Sequence, residues 1–193
     1  TVSYVHAPMT MSPVHSAAVL ARLTLGILDA REGNSKLADF EKGLATLAAL
    51  AEKNIADRSG KIAEFAESHK REPVIYTMAS GANYGPAYSF AICLLQEMQW
   101  IHSATIHSGE YFHGPFEVTD FDVPFIELIG VGPSRTMDER ALAFASKYSK
   151  RVTVLDAQDL GVPSLPASVS EYLAPLVFSP VLRAYADKLA EAK

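Results

Sequence analysis

Val74-Ile75-Tyr76-Thr77-Met78-Ala79-Ser80-Gly81-Ala82-Asn83-Tyr84-Gly85-Pro86 is the stretch on which the fold turns. Its first six residues make a continuous apolar run of strand length. A Ser-Gly-Ala-Asn turn follows. Ala87, Phe90, Ala91, Leu94, Leu95 and Met98 then recur at helical spacing. A strand that is apolar on both faces is one buried between two layers. Downstream, strands are predicted at 104–107, 123–129 and 152–155. A helix is predicted over 137–148, opened by Thr136-Met137-Asp138-Glu139, a capping-box sequence. Buried-type strands alternating with helices predict an α/β fold, a three-layer αβα sandwich on a parallel sheet, over residues 72–193.

Upstream the pattern changes to helical. Residues 1–11 read as a short strand and a loop, and Ser12-Pro13 as a helix start with a hydroxyl cap and proline in the first turn. That helix is predicted to reach about residue 30, with Leu20, Leu23 and Ile27 at helical spacing. Leu37, Phe40, Leu44, Leu47, Ala51, Ile55, Ile62, Phe65 and His69 then mark one long amphipathic helix, or two with a break near 57–60. Residues 1–71 are therefore expected to be the end of a preceding domain plus a helical arm. After 160–166, a proline-marked loop, a helix is predicted over 168–177. Ser179-Pro180 is predicted to start another, with Leu182, Tyr185, Ala186 and Leu189 on one face.

The totals bound the function. The chain has 193 residues, 49% hydrophobic and 20% charged, a globular composition. Net charge is −5 with no basic block, which argues against nucleic acid as a partner. One cysteine, Cys93, makes neither an internal disulfide nor a cysteine zinc site, and fits a reducing cytoplasm. No apolar run is long enough to span a membrane.

Titratable groups concentrate in Glu97-Met98-Gln99-Trp100-Ile101-His102-Ser103-Ala104-Thr105-Ile106-His107-Ser108-Gly109-Glu110-Tyr111-Phe112-His113-Gly114-Pro115. On a helix ending near 101, Glu97 is expected to be flanked by apolar groups. Burial and the negative helix end would then disfavour its anion, as a general base requires. A solvent-facing helix glutamate fits the same periodicity. His113 is held by a Gly-Pro turn and can point outward to a substrate. A packed turn histidine fits equally. His107-x-x-Glu110-x-x-His113 has the residue types of a metal site, but Gly109 and the strand-to-turn change break the one-face helical geometry, so no metal is predicted. His102 and His107 read as structural. Ser80 and Asn83 lie in a turn that resembles a phosphate loop in outline but has no lysine. Arg135, with Ser134 and Thr136, stands at a helix start where an anion could bind.

These residues resemble a known family. The run 74–81, the Glu97 to Ser103 segment and His107 to Glu117 resemble the second sugar-isomerase (SIS) domain of the fructosamine 6-phosphate deglycases, relatives of the isomerase part of glucosamine-6-phosphate synthase. Gly-Glu-x-x-His-Gly-Pro, with a glutamate sixteen positions before its histidine, carries most of the resemblance. Asp138-Glu139-Arg140 and Lys147-Tyr148 also match the deglycase branch. The resemblance implies Glu97 as general base and His113 as general acid, the latter serving a neighbouring subunit in a homo-oligomer. It implies no cofactor. Ser80, Asn83, Glu110 and Arg135 are candidate substrate-binding residues. The substrate class implied is a phosphorylated sugar-amine, an Amadori compound. The synthase branch has a lysine three positions before the glutamate, where this chain has Leu94. That departure disfavours a phosphosugar isomerase or aminotransferase-like enzyme. A non-catalytic sugar-phosphate-binding regulator is the reading from another class. The family has two SIS domains and a C-terminal tail. This chain is expected to lack most of the first domain, with its phosphate loops, and the tail, and so to be inactive alone.

Overall fold

The computed structural model describes residues 16–193. The strand and helix start expected at 1–13 lie outside the described residues.

Four parallel strands form one sheet: β1 (Tyr76–Ala79), β2 (Thr105–His107), β3 (Phe125–Ile129) and β4 (Val152–Asp156), in the order β2-β1-β3-β4. β1 runs in register with both neighbours, Met78 facing Ile106 on one side and Glu127 on the other. Strands therefore fall where the apolar runs predict them, the first three trimmed by a residue or two at their starts and the last extended by one at its end. Parallel pairing demands a crossover between strands, and the intervening helices supply it.

The helices are α1 (Ser16–Glu32), α2 (Lys36–Asp57), α3 (Ser59–His69), α4 (Tyr84–Ser89), α5 (Arg135–Tyr148) and α6 (Ser170–Ala192). α4 continues as a π-helix from Phe90 to Met98. Side chains alternate across the sheet. Met78, Ile106 and Phe125 face α5, where they meet Ala141 and Ala145. Ile75, Ala79, Ile126, Leu128 and Leu155 face the other helical layer. That layer is one core, joining Leu44, Leu47 and Phe65 of the arm to Phe90, Leu173, Val177, Phe178 and Leu189. The arm predicted over residues up to 71 thus packs into the same interior as the sheet. Its break falls at Arg58, inside the expected interval.

Three expectations are corrected. α6 is one helix, not two, although it contains Pro175 and Pro180. Each proline removes a backbone donor, but the face bearing Leu176, Val177, Phe178, Val181 and Leu182 stays buried across both, and Ser179 Oγ–H donates to the Pro175 carbonyl at 2.8 Å. On α1, Leu20, Leu23 and Ile27 are exposed, while Ala18, Val19 and Leu25 are buried. The helix is apolar on two faces, and packing chose the smaller one. At α5 the capping box does not form. The helix starts two residues early, with Ser134 at the cap, and Glu139 accepts from Arg135 Nε at 2.8 Å.

Candidate active site

The turn bearing His113 is built on an aromatic base. Tyr111 is fully buried, its ring against Phe112, Phe125 and Phe144, and its hydroxyl bonds Thr119. Arg140 lies over the Phe112 ring, 4.1 Å from its centroid, a cation–π contact. On this base the His113 N–H donates to the Glu110 carbonyl at 2.8 Å, and Gly114 takes φ 143°, a conformation open to glycine. His113 is exposed above it. The turn is held from below while its imidazole is free to meet another molecule.

Glu97 lies in the last turn of the π-helix. It is exposed, and so are Cys93, Met98 and Trp100 around it. The apolar enclosure expected from α-helical spacing is not supplied by the described residues. The wider winding of a π-helix shifts which residues share a face, so an i, i+4 reading fails here. The helix ends with Trp100 at φ 56°, the only non-glycine residue at positive φ among the described residues. Its N–H donates to the Gln96 carbonyl at 3.1 Å, and the Ile101 N–H to the Leu95 carbonyl at 3.0 Å. That paired closure is nested like a Schellman motif but one residue wider in each bond, in keeping with the π winding before it.

The topology keeps Glu97 and His113 apart. The π-helix leaves the carboxyl end of β1 and runs back beside the sheet to deliver the chain to the amino end of β2, where His102 bridges Val74. Glu97 is therefore at the amino edge of the sheet. His113 follows β2 and stands beyond the carboxyl edge. One chain does not join them into a site.

The other predicted residues gather on the carboxyl side. Glu110 lines a cleft of about 610 Å³ along the edge strand β2, with Tyr84, Thr105, His107 and Pro115. His107 Nδ1 accepts from the Gly109 N–H at 3.1 Å, a local structural role as expected. His102 has an exposed side chain rather than a buried one. Among the described residues no cluster of three or more His, Cys, Asp and Glu could hold a metal.

Ser80, Asn83 and Arg135 meet at the carboxyl ends of β1 and β3, but their polar groups turn inward. Ser80 is fully buried and donates to the Ser134 carbonyl at 3.2 Å. Asn83 is buried, and its Oδ1 has no hydrogen-bond partner. Arg135 Nη1 and Nη2 donate to the two Asp156 oxygens at 2.8 and 2.7 Å, and Nη1 also to the Gly130 carbonyl. The Asp156 hydrogen bonds hold the guanidinium above its ordinary range. Burial would raise the Asp156 carboxyl; the Arg135 bonds and the Gln158 N–H outweigh it and hold it low. The guanidinium expected to greet an anion already has one.

Beneath them lies a cluster that sequence reasoning missed. Asp138 is fully buried. Its Oδ1 accepts from Ser108 Oγ–H at 2.7 Å and its Oδ2 from the Gly130 N–H at 3.1 Å. It thereby ties the turn after β2, which leads to His113, to the turn after β3. Glu127, in mid-strand on β3, is also fully buried, and neither of its oxygens makes a hydrogen bond of normal geometry, the Leu142 backbone acting on it only weakly. Burial, and then the neighbouring Asp138 charge, push its carboxyl up to about 9. It is a neutral acid at physiological pH. A carboxylate inside an otherwise apolar strand (Phe125-Ile126-Glu127-Leu128-Ile129) was the available signal.

No family model matches the chain. Fructosamine deglycase FrlB of Bacillus subtilis (strain 168) is 51% identical over 175 residues, covering 91% of this chain and 53% of that protein. Fructoselysine 6-phosphate deglycase of Escherichia coli (strain K12) is 37% identical over 110 residues, covering 56% of this chain and 31% of that protein. A crystal structure from Bacillus subtilis, described as of the phosphosugar-isomerase type, superposes with a TM-score of 0.92 at 48% identity, over 98% of this chain and 58% of that one. The parallel sheet between helices and these likenesses define the class: an α/β protein with the fold of the phosphosugar-isomerase-type structures. It spans about half the length of the Bacillus relative. More particularly, it is a homologue of the fructosamine deglycases over the part that it shares with them.

Proposed function

We propose that the chain carries the acid–base groups of an enzyme that cleaves fructosamine 6-phosphates to a sugar 6-phosphate and a free amine. The observation that carries this is the 51% identity to a fructosamine deglycase over nearly the whole chain. Glu97 takes a proton from C1 of the substrate, and His113 handles the proton at the oxygen or nitrogen side. The enaminol formed tautomerises to an imine, which water hydrolyses. Proton shuttling between two groups is enough for this chemistry.

Because Glu97 and His113 stand at opposite edges of the sheet, each is assigned to a different site in a homo-oligomer. One copy's His113 completes the site that holds another copy's Glu97. Glu110 borders the cleft beside His113 and is assigned to substrate contact. Ser80, Asn83 and Arg135 are assigned to the framework, since their polar groups face inward. The reaction is cytoplasmic in this reading.

The test uses the intact protein and a fructosamine 6-phosphate. Glu97→Gln and His113→Ala should each be inactive. Mixing and reassociating the two should restore about a quarter of wild-type activity, because random pairing makes half the dimers mixed, each with one complete site. Activity retained in Glu97→Gln would remove the base. No recovery on mixing would remove the shared site.

A further inference from the structure

Ligands of open α/β sheets bind outside the carboxyl ends of the strands, where neighbouring connections leave in opposite directions. Here that point lies between β1 and β3, the two central strands. Its walls are the turns at residues 80–83 and 130–134. The turns touch through the Ser80 to Ser134 hydrogen bond. They are also too close for side chains. A Cβ on Gly130 would lie 2.7 Å from Asn83 Nδ2, and one on Gly81, at φ 54°, would lie 2.5 Å from Ser134 Oγ.

Across this crevice lies Glu171, from the first turn of α6. A Cβ on Gly132 would overlap the Glu171 carboxylate and sit 2.8 Å from its Cγ. Its Oε1 is 3.9 Å from the corresponding position on Gly81. Glycine in both turns leaves a cradle, and a carboxylate of the same chain fills it.

We propose that Glu171 is an internal occupant that closes the switch-point crevice of this domain to anions. An entering phosphate would meet the Glu171 charge at contact distance, with Asp138, bound to the Gly130 N–H, beneath it. Like charges at contact distance repel. Arg135 does not offset them, because Asp156 and Glu139 engage it. Lys36, which lines the same cavity as Ala82 and lies over the Tyr172 ring at 5.7 Å, is the cation that an anion would reach once Glu171 is gone. The phosphate-loop outline at residues 79–85 is then a vacated role: the turn is retained and its ligand is replaced by a side chain. This inference stands whatever the substrate. Joined to the deglycase reading, it requires the substrate's phosphate to be held outside this crevice.

The experiment titrates inorganic phosphate, against chloride at matched ionic strength, into the ¹⁵N-labelled 193-residue chain. The reporters are the amides of residues 81–83, 132 and 134. In wild type, phosphate should move them no more than chloride does. In Glu171→Ala the affinity for phosphate should rise roughly ten-fold or more. Gly132→Ala should act in the same direction without altering α6, because the new Cβ must displace the carboxylate. Unchanged amide positions elsewhere in the spectrum verify the fold of each variant. Phosphate binding by wild type as tight as by the variants overturns the proposal. So does phosphate binding by neither variant.

Discussion

Glu97→Gln keeps the side chain's size and removes its ability to take a proton. On the proposed function, it should lower deglycation by the intact protein about 10²-fold or more, the range for a lost general base, with little change in substrate binding. Steady-state kinetics decides: a loss confined to KM would make Glu97 a binding group. Glu127 gives a prediction about stability. Its folded pKa of about 9 lies above the ordinary 4.5. The native state therefore keeps a proton that the unfolded chain releases. The associated stability is fully present below about pH 4.5 and is lost as pH rises toward 9. Wild type should weaken on the order of a few kcal/mol across that window, and Glu127→Gln, neutral throughout, should lack this component. Denaturant midpoints near pH 5 and near pH 8 test it; the same pH slope in both proteins would show that Glu127 is not held protonated. Glu97 and His113 could be singled out as candidates from the sequence because motif spacing is local information. Asp138 and Glu127 were not read as a pair. Their partners come from three elements, and no periodicity records that Ser108 will meet Asp138.

The π-helix from Phe90 to Met98 sets how the chain reaches β2, and its end is strained. Trp100 is 89% exposed yet held at φ 56°. Left-handed backbone costs an L-residue about 1–2 kcal/mol, and an exposed indole has little packing to offset it. Trp100→Gly should therefore stabilise the isolated chain by about 1 kcal/mol, read as a raised thermal midpoint. A lowered midpoint would mean that the indole packs in solution. Among the described residues apolar runs located every strand, but helix ends were less readable. The helix predicted from residue 87 begins at Tyr84 and changes its winding at Phe90. The two helices predicted across Ser179-Pro180 are one. In both places tertiary burial outweighed local propensity.

Phe178, fully buried on α6, packs in the core that joins the arm to the sheet. Phe178→Ala should cost about 3–5 kcal/mol. Unfolding should remain one transition, because α2 and α3 share that core with β1, β3 and β4. Two separated transitions in denaturant, followed by far-ultraviolet circular dichroism and by Trp100 fluorescence, would show the arm to be an independent unit. At this scale Glu97 and His113 become a question of assembly, since a single copy holds them at opposite edges of its sheet.

By itself the sequence determined the parallel α/β architecture and the helices that precede it, and it singled out Glu97 and His113 as candidates. Strand-length apolar runs, helical spacing and a compact motif are all properties of neighbours along the chain. Only the tertiary structure decided which face of α1 is covered, that Arg135 is engaged by Asp156, that Glu127 is neutral beside Asp138, and that Glu171 fills the crevice between Gly81 and Gly132. Each depends on contacts between residues far apart in sequence. A periodic pattern states that a face is apolar or a group polar; which partner reaches it is settled by how the layers pack.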